Sequence, residues 1–290
     1  MPNLYRPRRS ALYLPAANPK ALAKARTLPV DVVILDLEDS VAPEYKPEAR
    51  AMAVAAVAEG GFGRRELVVR TNGLATPWGA DDLAAVAVAG PDAVLVPKVS
   101  SAEEVGQYDA ALAAAPPRTR LWIMIETCAC LPRLHELAAC AADTRLAGFV
   151  LGTNDLAKEM HARLTPARTP FLPVLTMAVI AARAHGLVVL DGVCNEFRDL
   201  ALFRAEAEQG LEFGFGGKTL IHPDQVEPCN AVFSPSAAEV AWAEAVEAAF
   251  ALPENAGKGA IKIEGKMAEL LHLEQAQRVL AISRTISADT

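Results

Sequence analysis

The chain has 290 residues, 52% of them hydrophobic, and a formal net charge of −7. That length and apolar content suit one large core of the barrel or doubly wound α/β kind, and the acidic balance argues against nucleic acid as a partner. No apolar run is long enough to span a bilayer, and no signal-peptide segment opens the chain. The five cysteines (Cys128, Cys130, Cys140, Cys194, Cys229) form no CxxC pair, so a cytoplasmic protein with reduced, structural thiols is expected.

Taken in chain order, Arg6, Arg8 and Arg9 come first, a basic cluster that reads as a contact for a small phosphorylated ligand or as a solvated arm. Eight short apolar segments follow: ALYLP (11–15), VVILDLE (32–38), ELVVRTN (66–72), AVLVPKV (93–99), LWIMIET (121–127), GFVLGTND (148–155), LVVLDGV (187–193) and FGFGGKTLIHP (213–223). Several are separated by Ala-rich stretches with helical spacing, such as PEARAMAVAAVAEG and LPVLTMAVIAARAHG. Strands alternating with helices predict a parallel sheet, and eight units predict a (β/α)8 TIM barrel over residues 1–234. A doubly wound open sheet is the alternative. From residue 235 the pattern changes to a helix (SAAEVAWAEAVEAAFA), a loop (PENAGKG), a hairpin or turn (IKIEGKM) and a last helix (AELLHLEQAQRVLAIS). Residues 235–290 therefore read as a C-terminal helical extension, a lid or subunit-contact arm.

In such a barrel the chemistry sits at the C-terminal strand ends. Those ends carry Asp36, Glu38 and Asp39 after strand 2, Arg70 and Asn72 after strand 3, and Lys98 after strand 4. Glu126 closes strand 5, Asn154 and Asp155 close strand 6, and Asp191 falls on strand 7. Strand 8 ends in Gly216, Gly217, Lys218 and His222. Three carboxylates within four positions at the end of an apolar run are costly unless the strand opens into a site. Glu126 and Asp155 end successive strands, and two oxygen ligands without Cys or His partners suit Mg²⁺ or Mn²⁺; a rim ion pair is the other reading of Glu126. Arg70 presents a planar fork for a substrate carboxylate, or a salt bridge to the acidic group on the adjacent strand end, or both. GGKT does not make a phosphate loop, because Glu212 stands where the pattern needs glycine. His222 reads equally as a substrate contact and as a turn residue.

Several stretches together resemble the citrate lyase β-subunit-like family, CoA-ester lyases of the HpcH/HpaI aldolase superfamily. They include RRSALYLPAANPKALAKA, DVVILDLEDSVAPEYKPEAR, VVRTNGLATPW, IMIETCACL, VLGTNDLAKEM and FGGKTLIHPDQVEPCNAVFSPS, and they run in order from about residue 8 to 240. The resemblance implies a Mg²⁺-dependent TIM-barrel carbon–carbon lyase acting on a malyl-, citramalyl- or citryl-type CoA thioester to release a 2-keto acid. It implies Glu126 and Asp155 as metal ligands and Arg70 as the carboxylate clamp. Substrate contacts fall on Tyr13, Lys24, Asn154, Asp155, Ile221 and His222, with Glu38 and Asp39 in support. It further implies a homo-oligomer, a trimer or hexamer. Two positions depart from the family pattern: Asn18 replaces a frequent Arg, and GKMAE replaces GKMID, so Glu269 stands where an acid/base Asp from a neighbouring subunit is expected.

The chemistry so implied is a retro-Claisen-type cleavage or its reverse, with Mg²⁺ as Lewis acid and a stabilised thioester enolate. Three other readings compete: a citrate lyase β-subunit acting on a citryl-acyl-carrier protein, a malyl-CoA thioesterase using the same site to activate water, and a non-catalytic assembly subunit.

Overall fold

Period-two alternation in the eight strands decides which residues face the barrel axis. A computed structural model describes residues 6–287 of the chain. The strands are β1 (Ser10–Pro15), β2 (Val32–Asp36), β3 (Glu66–Arg70), β4 (Ala93–Val96), β5 (Arg120–Ile125), β6 (Leu146–Leu151), β7 (Val188–Leu190) and β8 (Lys218–Leu220). All pairings are parallel, in the order β7-β6-β5-β4-β3-β2-β1-β8. A parallel bridge between Asp191 and Lys218 joins the two outer strands, with Asp191 N–H donating to Gly217 O and Thr219 N–H to Asp191 O, each at 2.9 Å. The sheet thus curls into a TIM-type barrel, and the open doubly wound alternative is set aside.

The helices of this unit are α1 (Pro19–Ala25), α2 (Lys46–Glu59), α3 (Gly79–Ala89), α4 (Ala102–Ala111), α5 (Leu134–Ala139), α6 (Thr153–Glu159), α7 (Leu172–Ala184), α8 (Leu200–Phe213) and α9 (Val226–Val232). Even-numbered positions of β2 and β3 point inward. Val32, Ile34 and Val68 join Leu95, Trp122, Met124, Val150 and Leu190 in the barrel interior. Odd-numbered Val33, Leu35, Leu67 and Val69 pack outward against the helices. Each fully buried Val, Leu or Ile contributes roughly 1.5–3 kcal/mol. The same parity carries Asp36, Arg70 and Glu126 to the inward side at the C-terminal mouth. Asp36 and Arg70 are register partners on adjacent strands, so their contact follows directly from the strand pairing.

Arg8–Phe233 forms one compact unit, and the residues from Ser234 onward belong to a second. The second contains α10 (Ala237–Ala251), the antiparallel hairpin β9 (Ala260–Ile263) and β10 (Lys266–Glu269), and α11 (Leu270–Ser287). Its core is Ala243, Val246, Ile261, Ile263, Ala268, Ala276 and Leu280. Ser236 caps α10 in a reciprocal box with Glu239. The hairpin turns on Glu264 and Gly265, whose φ values of 47° and 84° suit the two-residue turn that matches strand twist. IKIEGKM, read from sequence as a hairpin or turn, is a hairpin.

Candidate active site

Asp36 ends β2 with its side chain 1% exposed. A bare carboxylate is costly there, and four donors satisfy it. Arg70 Nε and Nη2 each bond it at 2.7 Å, and the backbone N–H groups of Glu38 and Ser40 at 2.9 and 3.1 Å. Burial alone would raise the Asp36 carboxyl, but Arg70 and these bonds hold it below its ordinary value. The buried Lys46 ammonium fixes the following loop by donating to the carbonyls of Leu37 and Glu38.

Arg70 is accordingly held by the acidic group. Its Nη1 lies 2.8 Å from Glu38 Oε2 and 3.3 Å from Asp39 Oδ2. The Glu38 contact is ionic without hydrogen-bond alignment, since Glu38 Oε2 has no hydrogen-bond partner. The Tyr13 ring lies under the guanidinium at 4.7 Å, and its hydroxyl donates to Met124 Sδ at 3.5 Å. The Nε/Nη2 edge of the fork is thus spent on Asp36, and Nη1 lies against Glu38 and Asp39.

Glu126 follows β5 with only 1% of its side chain exposed. Lys98, which follows β4, adopts a left-handed backbone (φ 55°) that costs energy for a side-chain-bearing residue. The turn aims its N–H at Glu126 Oε1, 2.8 Å away. The Lys98 ammonium reaches Asp155 Oδ1 at 3.2 Å, Glu38 Oε1 at 3.6 Å and Glu126 Oε1 at 3.8 Å. Three carboxylates, following β2, following β5 and on α6, therefore converge on one cation, Lys98. Burial pushes the Glu126 carboxyl up to about 7, with Lys98 pulling the other way and Glu38 and Asp155 adding to the rise. Partial burial opposes the charge on Lys98, but the carboxylates outweigh it and raise its pKa.

This donor set fits a hard divalent cation. Glu126 and Asp155 offer oxygen only and carry more negative charge than one lysine balances. Gly152 leaves the space open: a Cβ there would stand 2.5 Å from both Cβ and Oε2 of Glu126. Among the described residues no group of three or more His, Cys, Asp or Glu is placed to hold a metal ion. Two protein carboxylates with substrate and water completing the shell is the usual arrangement for Mg²⁺.

A pocket of about 280 Å³ opens over these groups, lined among others by Tyr13, Arg70, Glu126, Asn154, Asp155 and Ile221. The structure therefore gathers most of the residues singled out from sequence. Glu38 and Lys98 reach the carboxylate cluster without lining the pocket, Lys24 and His222 do not line it, and Glu269 belongs to the second unit. Lys24 is exposed on α1. His222 caps the turn after β8, its Nδ1 accepting from Asp224 N–H at 3.2 Å, and stacks on Phe197 at 4.8 Å. Glu269 is exposed at the end of β10, its N–H donating to His272 Nδ1 at 2.9 Å. Asp191 and Lys218, read as strand-end candidates, are instead wholly buried. Lys218 opens β8 rather than ending it, and its ammonium bonds Asp191 Oδ2 at 3.0 Å and Glu206 Oε1 at 2.6 Å. The GGK glycines answer to packing, since a Cβ on Gly217 would stand 1.9 Å from Arg8 O. Sequence reasoning placed Lys98 at a strand end without giving it a role, and it missed Gly152, Thr153 and Val193. An apolar strand running into Pro-Lys was the available signal for Lys98; the other three have none.

Comparison with known proteins agrees with this geometry. The family model described as HpcH/HpaI aldolase/citrate lyase matches residues 9–223. A (3S)-malyl-CoA thioesterase of Cereibacter sphaeroides is 46% identical over 282 residues, covering 97% of this chain and 96% of the relative. An L-malyl-CoA/beta-methylmalyl-CoA lyase of the same species is 33% identical over 309 residues, covering 98% and 96%. The crystal structure of CitE from Mycobacterium tuberculosis, in complex with magnesium, acetoacetate and coenzyme A, superposes with a TM-score of 0.76 at 31% identity, covering 94% of this chain and 97% of that one. With the matched model spanning the whole barrel and its mouth, the chain belongs to the HpcH/HpaI aldolase/citrate lyase family.

Proposed function

We propose that this enzyme is a Mg²⁺-dependent hydrolase of a malyl-type CoA thioester, releasing the free hydroxy acid and coenzyme A. The convergence of Glu38, Glu126 and Asp155 on the Lys98 ammonium beside Arg70 carries the reading. It matches a substrate that presents a hydroxyl and a carboxylate on one carbon. Carbon–carbon cleavage of the same thioester is the second reading, favoured by the 33%-identical lyase. The thioesterase relative, at 46% identity and near full length, tips the choice toward hydrolysis.

Glu126 and Asp155 would hold the metal, which when bound supplies Lewis acidity and an anchor for hard oxygens. Arg70, fixed by Asp36, Glu38 and Asp39, receives the substrate carboxylate. Because Asp36 holds the guanidinium before substrate arrives, little ordering cost remains at binding. The thioester arm leaves past Tyr13 and Ile221, on the β1 and β8 side of the mouth. Lys98, half exposed among the carboxylates, offsets negative charge as it develops on the thioester oxygen. Water adds to the thioester carbon, the C–S bond breaks, and the leaving thiolate takes a proton. Glu269, supplied from a second copy of the chain, is the proposed acid/base, and Asn154 and His222 contact the substrate beside Ile221. Lys24 contacts the anionic end of coenzyme A.

Incubation with malyl-CoA, with Mg²⁺ and with EDTA, tests the proposal. Free thiol and malate that appear only with metal are expected. Acetyl-CoA and glyoxylate without free thiol would establish the lyase reading, and the absence of both would overturn the substrate class.

A further inference from the structure

Charge at the barrel mouth is balanced unevenly, and Lys98 stands where the imbalance is greatest. Its ammonium lies 3.2 Å from Asp155 Oδ1, 3.6 Å from Glu38 Oε1 and 3.8 Å from Glu126 Oε1. Neighbouring cations are committed elsewhere. Arg70 serves Asp36 through two bonds of 2.7 Å and reaches Glu38 only at Oε2. Arg168 stands in an adjoining pocket of about 380 Å³, across Thr153 and Val193, and is bonded to Asp191 at 2.7 and 2.8 Å. Asn154, which precedes Asp155, has its amide bonded reciprocally to Asn195 at 2.8 and 3.2 Å. Among the described residues, Lys98 is thus the one cation paired with Glu126 and Asp155.

Lys98 grips the cluster by two handles that differ in permanence. Its backbone N–H is fixed on Glu126 Oε1 at 2.8 Å by the left-handed turn at φ 55°. Its ammonium ends a flexible four-carbon stem, and the side chain is 50% exposed. The ammonium is therefore free to turn into water while the amide stays in place. The oxygens it reaches belong to Glu126 and Asp155, the two carboxylates that hold the metal in the function proposed above. We infer that Lys98 is a built-in competitor of the divalent ion, pairing with its two ligands and giving way as the ion binds. An ammonium and a divalent cation in one carboxylate cluster repel, so the ion gains less affinity than the carboxylates alone would supply. Once displaced, the ammonium is available to the thioester oxygen, so metal loading and the arming of Lys98 become one event. The inference rests on Glu126 and Asp155 as the ligand pair, not on which substrate bond breaks.

Calorimetric titration of the full chain with Mg²⁺ alone tests it, with circular dichroism to verify each variant's fold. Lys98→Met keeps the amide and the stem but removes the charge, and is expected to tighten Mg²⁺ about tenfold, a modest share of what charges about 4 Å apart exert near a protein surface. The gain should shrink at high salt, which screens a half-exposed charge. Lys98→Arg keeps the charge and is expected to stay within about threefold of wild type. Lys98→Gln is neutral and shorter; it is expected to act as Met does and replaces that variant if it fails to fold. Asp155→Ala removes a ligand and is expected to abolish binding. Unchanged or weaker Mg²⁺ binding in the neutral variants, with Asp155→Ala still without binding, would overturn the competitor and leave the proposed function standing. Equal tightening by Arg and Met would also overturn it, because loss of charge would not be the cause. Full Mg²⁺ affinity in Asp155→Ala would remove the ligand pair and overturn both.

Discussion

Gly152 shows how one missing atom sets a site. It precedes α6, and its backbone passes so close to Glu126 that a Cβ would meet that carboxylate at 2.5 Å. Glu126 cannot retreat easily, since its Oε1 is held by the Lys98 N–H and its side chain is buried. Gly152→Ala is therefore expected to tilt the carboxylate and weaken Mg²⁺ binding about 10–100-fold, in the range of changes to groups that orient metal ligands. Titration of the metal by calorimetry, with circular dichroism to verify the fold, measures this; unchanged affinity would remove Glu126 from the ligand set. Lys98 illustrates the complementary case, in which a strained backbone angle is retained because the amide and the ammonium both serve the same carboxylate cluster.

At the level of elements, the meeting of β7 and β8 is held by charge as well as by backbone bonds. Asp191 accepts both contacts of Arg168 Nη1, at 2.7 and 2.8 Å, and the Lys218 ammonium at 3.0 Å. Lys218 also reaches Glu206 and the Gly192 carbonyl. Two cations and two carboxylates balance, which is the condition for burying them at all. Burial would raise the Asp191 carboxyl, but Lys218 and Arg168 outweigh it and hold its pKa below 3.8. Its contribution to stability is thus complete above 3.8 and is lost as pH falls through the lower folded value. Burial would lower the Lys218 ammonium, but Asp191 and Glu206 raise it above 10.5. Its contribution is complete below 10.5 and is lost as pH rises through the higher folded value. Asp191→Asn is expected to cost about 3–5 kcal/mol at neutral pH, because it strands buried cations, and to flatten the loss of stability in acid. Urea unfolding across pH measures both effects.

On the scale of the whole molecule, the barrel and the C-terminal unit have separate cores. Leu280 is 2% exposed within the smaller one, and Leu280→Ala is expected to destabilise that unit by about 2–5 kcal/mol. Hydrogen exchange should quicken in α10 and α11 while Mg²⁺ affinity at the barrel mouth stays unchanged. If Glu269 works as the acid/base, kcat falls in parallel, since the exposed end of β10 that carries it is held by this core. A fall in Mg²⁺ affinity of the same size would show instead that the two units share one cooperative fold.

The eight strands were legible because each is a short apolar run with a fixed period, and that local pattern alone specifies strand, inward face and mouth. Arg70 and Glu126 share that parity, whereas Asp155 lies on α6, past the end of β6. The hairpin was half legible, since IKIEGKM carries a turn signal without deciding between a turn and two paired strands. The roles of Asp191 and Lys218 were not legible, because a charged residue at a strand end looks the same in sequence whether it faces solvent or an opposite charge. Gly152, Val193 and the Asn154–Asn195 pair belong to the same class. Their meaning lies in distances between residues far apart in the chain, and only the closed barrel creates those distances. Sequence by itself determined the family and the barrel, both of which rest on local pattern. The tertiary structure decided which carboxylates hold Arg70, which converge on Lys98, and where a second pocket adjoins the first.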